Sequence, residues 1–141
     1  MTTAFHTTRR VEFHDTDMAG MVHFSNFFRF MEEAEVAFLR SLGLHVSWRD
    51  EAARFGFPRV SASCDFLKPA RFEDVLDITV NVEQVGRKSV TYAHEICRDG
   101  ERIAQGKITA VYVRVGPDQE LESQEIPAEI RAKLQAAAVA G

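Results

Sequence analysis

The sequence predicts an α+β protein in which one long central helix is wrapped by a curled antiparallel sheet of about five strands. Three observations carry this. A stretch beginning at Phe24 repeats apolar residues at helical spacing and is marked at both ends; past Gly56 the period changes from 3.6 to 2; and a short early strand precedes the helix, so the order is strand, helix, then long antiparallel strands. With 141 residues, 45% of them apolar and 27% charged, the chain has the length of one domain and enough apolar surface to order itself, so a single domain over residues 1–141 is expected.

The early strand is read at residues 9–14. In the helix, Phe27, Met31, Ala34, Phe38 and Leu42 recur at steps of three and four, and Phe28, Phe30, Val36, Ala37 and Leu39 widen the apolar surface beyond one stripe. Ser25 or Asn26 reads as its N-cap and Gly43 as the left-handed residue after its end. Residues 47–55 read as a second short helix, with Ser47 and Asp50 in a capping arrangement and Gly56 as its stop.

Strand alternation follows. Val60, Ala62, Cys64 and Phe66 are expected on an inner face, then Leu76, Ile78, Val80 and Val82, then Val90, Tyr92, His94 and Ile96. Asp99-Gly100 closes a hairpin. The last long strand is read over residues 101–115, where Ala104, Gly106, Ile108 and Ala110 form a smooth face that lets a helix approach; Gly106 also reads as a bulge. Val111, Val113 and Val115 give the opposite face an apolar character that calls for a second subunit over that face or over an edge strand, so a homo-oligomer is expected.

Composition excludes several functions. A net charge of -4 supplies no broad basic field, so nucleic acid is not an expected partner. Cys64 and Cys97 are too few for a disulfide framework and lack zinc-ligand spacing; they read as buried thiols of a cytoplasmic protein. No run approaches the ~18 apolar residues of a membrane span, so no membrane partner is expected.

Chemistry concentrates in residues 14–24, His-Asp-Thr-Asp-Met-Ala-Gly-Met-Val-His-Phe, which join carboxylates, histidines and a glycine to a helix start. Amides at a helix N-terminus point outward as donors and can hold a carbonyl oxygen as it becomes an oxyanion. An ionised aspartate beside them can attack an acyl carbon or take a proton from water. Thioesters suit so small a machinery because a thiolate leaves with little acid help. The same aspartates also read as turn formers or caps. Asp15 and Asp17 alone lack the further oxygen ligands of a divalent cation, so no metal is expected. His14 and His23 are candidate bases without a triad pattern around them. Arg87, Lys88 and Ser89, between two strands, offer two cations and a hydroxyl to a phosphate ester, or simply a solvated hairpin.

These residues resemble the hotdog-fold acyl-CoA thioesterases of the 4-hydroxybenzoyl-CoA type. The stretch from Glu12 to Val22, followed by Asn26, Glu32 and Ala34, is similar to the family's Asp-x-Asp-x-x-Gly-x-Val segment and the helix it opens. Pro58-x-Val60, Phe66-x-x-Pro69, Asp74-x-Leu76, Arg87-Lys88-Ser89 and Glu125-Ile126-Pro127 follow in family order, so the resemblance spans roughly residues 9 to 128. It implies an acyl-CoA thioesterase releasing free acid and CoA, with Asp17 as nucleophile or base, the Phe24 backbone amide polarising the carbonyl, and Gly20 turning the loop. It further implies that Arg87, Lys88 and Ser89 contact the CoA phosphates, with His23 and Phe57 at the substrate. No cofactor is implied, because coenzyme A is part of the substrate. The family's active sites lie between subunits, which implies at least a homodimer and extends to a homotetramer. The chain departs from the family in carrying Phe27 and Glu35 where members often have Tyr and Arg, and Glu120 and Glu122 where some have a basic group.

Two other functions stay open. A hotdog dehydratase or hydratase needs a histidine paired with a carboxylate across the site, for which His23 is the near candidate. A non-catalytic acyl-CoA binding module would bind without releasing thiol.

Overall fold

The computed structural model describes residues 4–138. Helix α1, Ser25–Ser41, lies along a five-stranded antiparallel sheet of order β1-β5-β6-β7-β4, where β1 is Phe5–Arg10, β4 Arg59–Phe66, β5 Val75–Val85, β6 Ser89–Arg98 and β7 Glu101–Val111. A smaller sheet of order β2-β3-β8-β9 joins Ser47–Arg49, Arg54–Gly56, Val113–Val115 and Leu121–Ser123, and helix α2, Ala128–Ala137, closes the chain.

The apolar spacing of α1 is used as expected. Phe27, Phe30, Met31, Ala34, Phe38 and Leu39 are buried against the inward rows Leu76-Ile78-Val80-Val82 of β5 and Val90-Tyr92-His94-Ile96 of β6. Gly43 has φ 74°, and the Leu44 and Gly43 amides donate to the Leu39 and Arg40 carbonyls, so the helix ends in a Schellman motif. Asp99 and Gly100, both at positive φ, turn β6 into β7.

Gly106 sets how closely helix and sheet approach. A methyl group there would stand 2.8 Å from Met31 Cε and 2.5 Å from the Ser63 carbonyl oxygen, so only a residue without a side chain fits. It is not a bulge: Gly106 pairs in register with Cys64 and His94, and the register shifts fall between Arg59 and Ser61, Val82 and Gln84, and Ile96 and Cys97.

Several sequence expectations need correcting. The first strand ends at Arg10 and gives way to a 3-10 turn at Phe13–Asp15. Residues 47–55 are not a helix. Trp48 and Phe55 face each other across β2 and β3 and both stack on Tyr112, with ring centroids 5.9 and 6.0 Å away, and this distant packing overrides the local helix signal. Asp50 caps only the intervening turn, accepting from the Ala52 and Ala53 amides. The final strand breaks at Tyr112: Val113 is buried within the small sheet, while the outer face of β6 and β7 carries Thr91, Glu95, Gln105, Lys107 and Thr109. That face is polar, not the apolar one expected from Val111, Val113 and Val115. Along β4, Val60 and Phe66 remain exposed because this strand is the open edge of the sheet. Helix α2, which the sequence reading did not identify, seats Leu134 in the core and uses Arg131 Nη2 to donate to the Gly86 and Arg87 carbonyls.

Candidate active site

The loop from Thr16 to Val22 is a small closed turn. Thr16 and Val22 form an isolated bridge, the Asp17 amide donates to the Met21 carbonyl at 2.9 Å, and the Gly20 amide donates to the Asp17 carbonyl at 3.0 Å. Gly20 has φ 81°, a conformation that a side chain would strain. The turn leaves Asp17 exposed. Its Oδ1 accepts from the Ala19 amide at 2.9 Å, and Oδ2 has no partner among the described residues. Around it lies an open groove walled by Phe13, Phe72, Met18 and Gly20, with Phe13 and Phe72 edge to face at 5.7 Å.

The loop runs directly into the start of α1. Neither Ser25 nor Asn26 caps α1: the residue before the helix is Phe24, already in helical conformation, with no side-chain cap. The Ser25 amide instead donates to His23 Nδ1, and the Asn26 side chain donates to the Asp15 carbonyl. The next two amides are also taken, Asn26 by the His23 carbonyl and Phe27 by the Phe24 carbonyl, while the Phe24 amide makes no hydrogen bond among the described residues. It is an open donor at the positive end of the helix dipole.

His23 is exposed, its ring stacked on Phe24 at 4.8 Å and bonded to the Ser25 hydroxyl rather than to a carboxylate. The histidine that meets a carboxylate is His14, with Nε2 3.5 Å from Asp15 Oδ1. Among the described residues no three His, Cys, Asp or Glu side chains converge as a metal site.

Other expected site residues lie elsewhere within the chain. Phe57 is 2% exposed and packs on Trp48 and Tyr112, as part of the core rather than a wall of this groove. Arg87, Lys88 and Ser89 sit at the β5–β6 turn, whereas the loop from Thr16 to Val22 is tied to the other end of β5, through Val11 to Asp74 and Val22 to Ala70. The eleven residues of β5 span roughly 36 Å at ~3.3 Å per residue, so one chain does not bring the two clusters together. Arg87 is exposed and sits 3.8 Å from Glu125.

Sequence reasoning gave no role to a polar group inside the core. Glu35 is fully buried, with Oε2 3.0 Å from Arg59 Nη2; burial pushes its carboxyl up from the ordinary range while Arg59 opposes that. The nearby Tyr92 hydroxyl and both His94 ring nitrogens lack hydrogen-bond partners, and burial pushes His94 down to about 4.

A long helix clasped by a curled antiparallel sheet defines the hotdog fold class. The chain belongs to the thioesterase-like superfamily, which it matches over residues 11–134. It is 34% identical over 109 residues to a putative esterase of Aquifex aeolicus, covering 77% of this chain and 84% of that one. It is 30% identical over 129 residues to the 4-hydroxybenzoyl-CoA thioesterase of Pseudomonas sp. strain CBS-3, covering 86% and 90%. The solved structure of a gentisyl-coenzyme A thioesterase superposes with a TM-score of 0.77 at 30% identity, over 90% of this chain and 99% of that one.

Proposed function

We propose that this protein hydrolyses an acyl- or aroyl-CoA thioester to the free acid and coenzyme A, with Asp17 as the reacting carboxylate and the Phe24 amide as the oxyanion donor. The observation that carries this reading is an exposed Asp17 whose Oδ2 has no partner among the described residues, set in an apolar groove on the loop that leads into a helix start with an unused amide. The thioester carbonyl oxygen accepts from the Phe24 N–H as it gains charge. In the covalent route Asp17 attacks the carbonyl carbon, the C–S bond breaks, the thiolate leaves, and water hydrolyses the resulting anhydride. In the general-base route Asp17 takes a proton from the attacking water. Either route consumes water alone, with coenzyme A entering as part of the substrate. His23 is bonded to the Ser25 hydroxyl rather than to a carboxylate, and the His14–Asp15 contact joins adjacent residues rather than reaching across a site as a hydratase pair would, which favours hydrolysis over that alternative.

The phosphate-binding role of Arg87, Lys88 and Ser89 fits this reading only with two chains. The outer edge of β4 is unpaired, and its Phe66 end meets Phe24 at 5.9 Å, while its Arg59 end adjoins the β5–β6 turn through Pro58, Val111 and Ser89. Two copies paired antiparallel along β4 would set the Arg87–Ser89 turn of one beside the Asp17 groove of the other, in at least a homodimer and, by family resemblance, a homotetramer. No described helix is long and apolar enough to cross a membrane. Cys64 and Cys97 are both free, which fits a cytoplasmic chain.

Asp17→Asn tests the reading. Thiol release from a panel of acyl-CoAs is expected to fall by about 10²–10⁴-fold with the oligomer intact, the range ascribed to a positioned acid or base. Full turnover by the folded variant removes Asp17 from the reaction. Single-turnover hydrolysis in oxygen-18 water separates the routes, since label entering Asp17 marks attack by the carboxylate.

A further inference from the structure

We propose that Asp15 and Asn26 are positioning residues that hold the Asp17 carboxylate and the Phe24 amide in one fixed arrangement, an inference that rests on the hydrolytic reading above. The peptide group of Asp15 is where the two reacting elements meet. Asp15 precedes Asp17 by two residues, and its carbonyl accepts from the His23 amide at 3.0 Å and from Asn26 Nδ2 at 2.8 Å. His23 in turn immediately precedes Phe24. One carbonyl oxygen thereby joins the carboxylate loop to the first turn of α1.

Asp15 is itself anchored. Its side chain is 4% exposed, and Oδ2 accepts from the Glu12 amide and from Arg9 Nη1, both at 2.8 Å. Arg9 reaches in from β1, lies over the Phe30 ring with 4.7 Å to its centroid, and donates through Nε to Glu33 of α1. The sheet edge, the loop and the helix are therefore locked at one residue. Asn26 is at a position where a polar side chain ordinarily serves its own helix, yet here it reaches back along the chain to the loop. Asn26 Nδ2 and the Asp15 carbonyl are spent on each other, so their contribution to the reaction is geometric. Placement errors near 1 Å cost on the order of 10²-fold in rate.

The test is Asn26→Ala, with Asn26→Ser, whose hydroxyl is too short to make the same bond, as a second variant should the first fail to fold. Both are assayed for kcat and KM on an acyl-CoA that the parent hydrolyses, and repeated in an Asp17→Asn background. The expected result is a fall in kcat of about 100-fold with KM within about twofold, and a smaller further loss of residual rate once Asp17 has been replaced, because only the Phe24 amide is then left to position. An unchanged kcat in the folded variant overturns the proposal, as does an equal loss in both backgrounds, which would mark general damage. Should Asp17→Asn alone keep full turnover, the role of Asp17 in the hydrolytic reading fails, whatever Asn26→Ala does.

Discussion

The two ends of α1 are built from the same side chains and use them in opposite ways. At its C-terminal end the helix finishes in a Schellman motif, and beyond it Phe57 and Tyr112 are buried, with Trp48 and Phe55 half-buried against them, in a cluster with centroid spacings of 5.4 to 6.1 Å. At its N-terminal end Phe13, Phe24, Phe66 and Phe72 also touch edge to face, yet they remain 45 to 76% exposed. Aromatic surface at the first end is already covered by this chain and supports the fold. At the second end it awaits a ligand or another subunit, beside the open carboxylate and amide. Stability and activity should therefore separate along the helix.

The largest effect that would sharpen this contrast is Phe57→Ala, which should lower unfolding free energy by about 3–5 kcal/mol while the folded fraction keeps its turnover. Urea denaturation together with specific activity measures both, and a loss of turnover in folded protein would move the active surface to the wrong end.

Next comes acid. Burial holds the His94 pKa near 4, below the ordinary 6.5, so between those values the unfolded chain binds a proton that the folded one refuses. Stability should fall as pH drops through that window, by up to about 3 kcal/mol, and this contribution should level off below pH 4. His94→Leu should flatten the slope between pH 6.5 and 4. If the slope persists in that variant, the acid response belongs to other groups.

The smallest stability effect is expected at Phe24→Ala, under about 1 kcal/mol because the ring is 59% exposed, with the backbone donor left in place. A KM change without a Tm change is the expected pattern. A large Tm loss would show that the exposed end carries the fold after all.

What could be read beforehand divides along the same lines. The helix is legible because both its periodicity and its Gly43 stop are local, and the Gly20 turn is legible because a loop and the helix it opens are adjacent in sequence. The β2–β3 hairpin was misread because its local Ser47 and Asp50 signals resemble a helix start, while the Tyr112 ring that decides the matter lies far along the chain. Helix α2 gave little signal, with Leu134 its one buried residue. Ser25 and Asn26 both have the type and place of a cap, and only the folded loop supplies the Asp15 carbonyl that claims the Asn26 side chain. The importance of Asp15 depends on Arg9 arriving from β1, a contact no local pattern encodes.

Gly106 also bears on how this sequence can diverge. Where the Met31 side chain and the neighbouring strand's backbone leave no room for even a methyl group, inheritance has one option, so any lineage keeping this helix seat keeps that codon class. Its neighbours Gln105 and Lys107 face outward, where their contacts with Asp65 and Glu83 lie at the surface and other polar side chains fit as well. A single invariant column between two variable ones would be the trace this contact leaves in descendants.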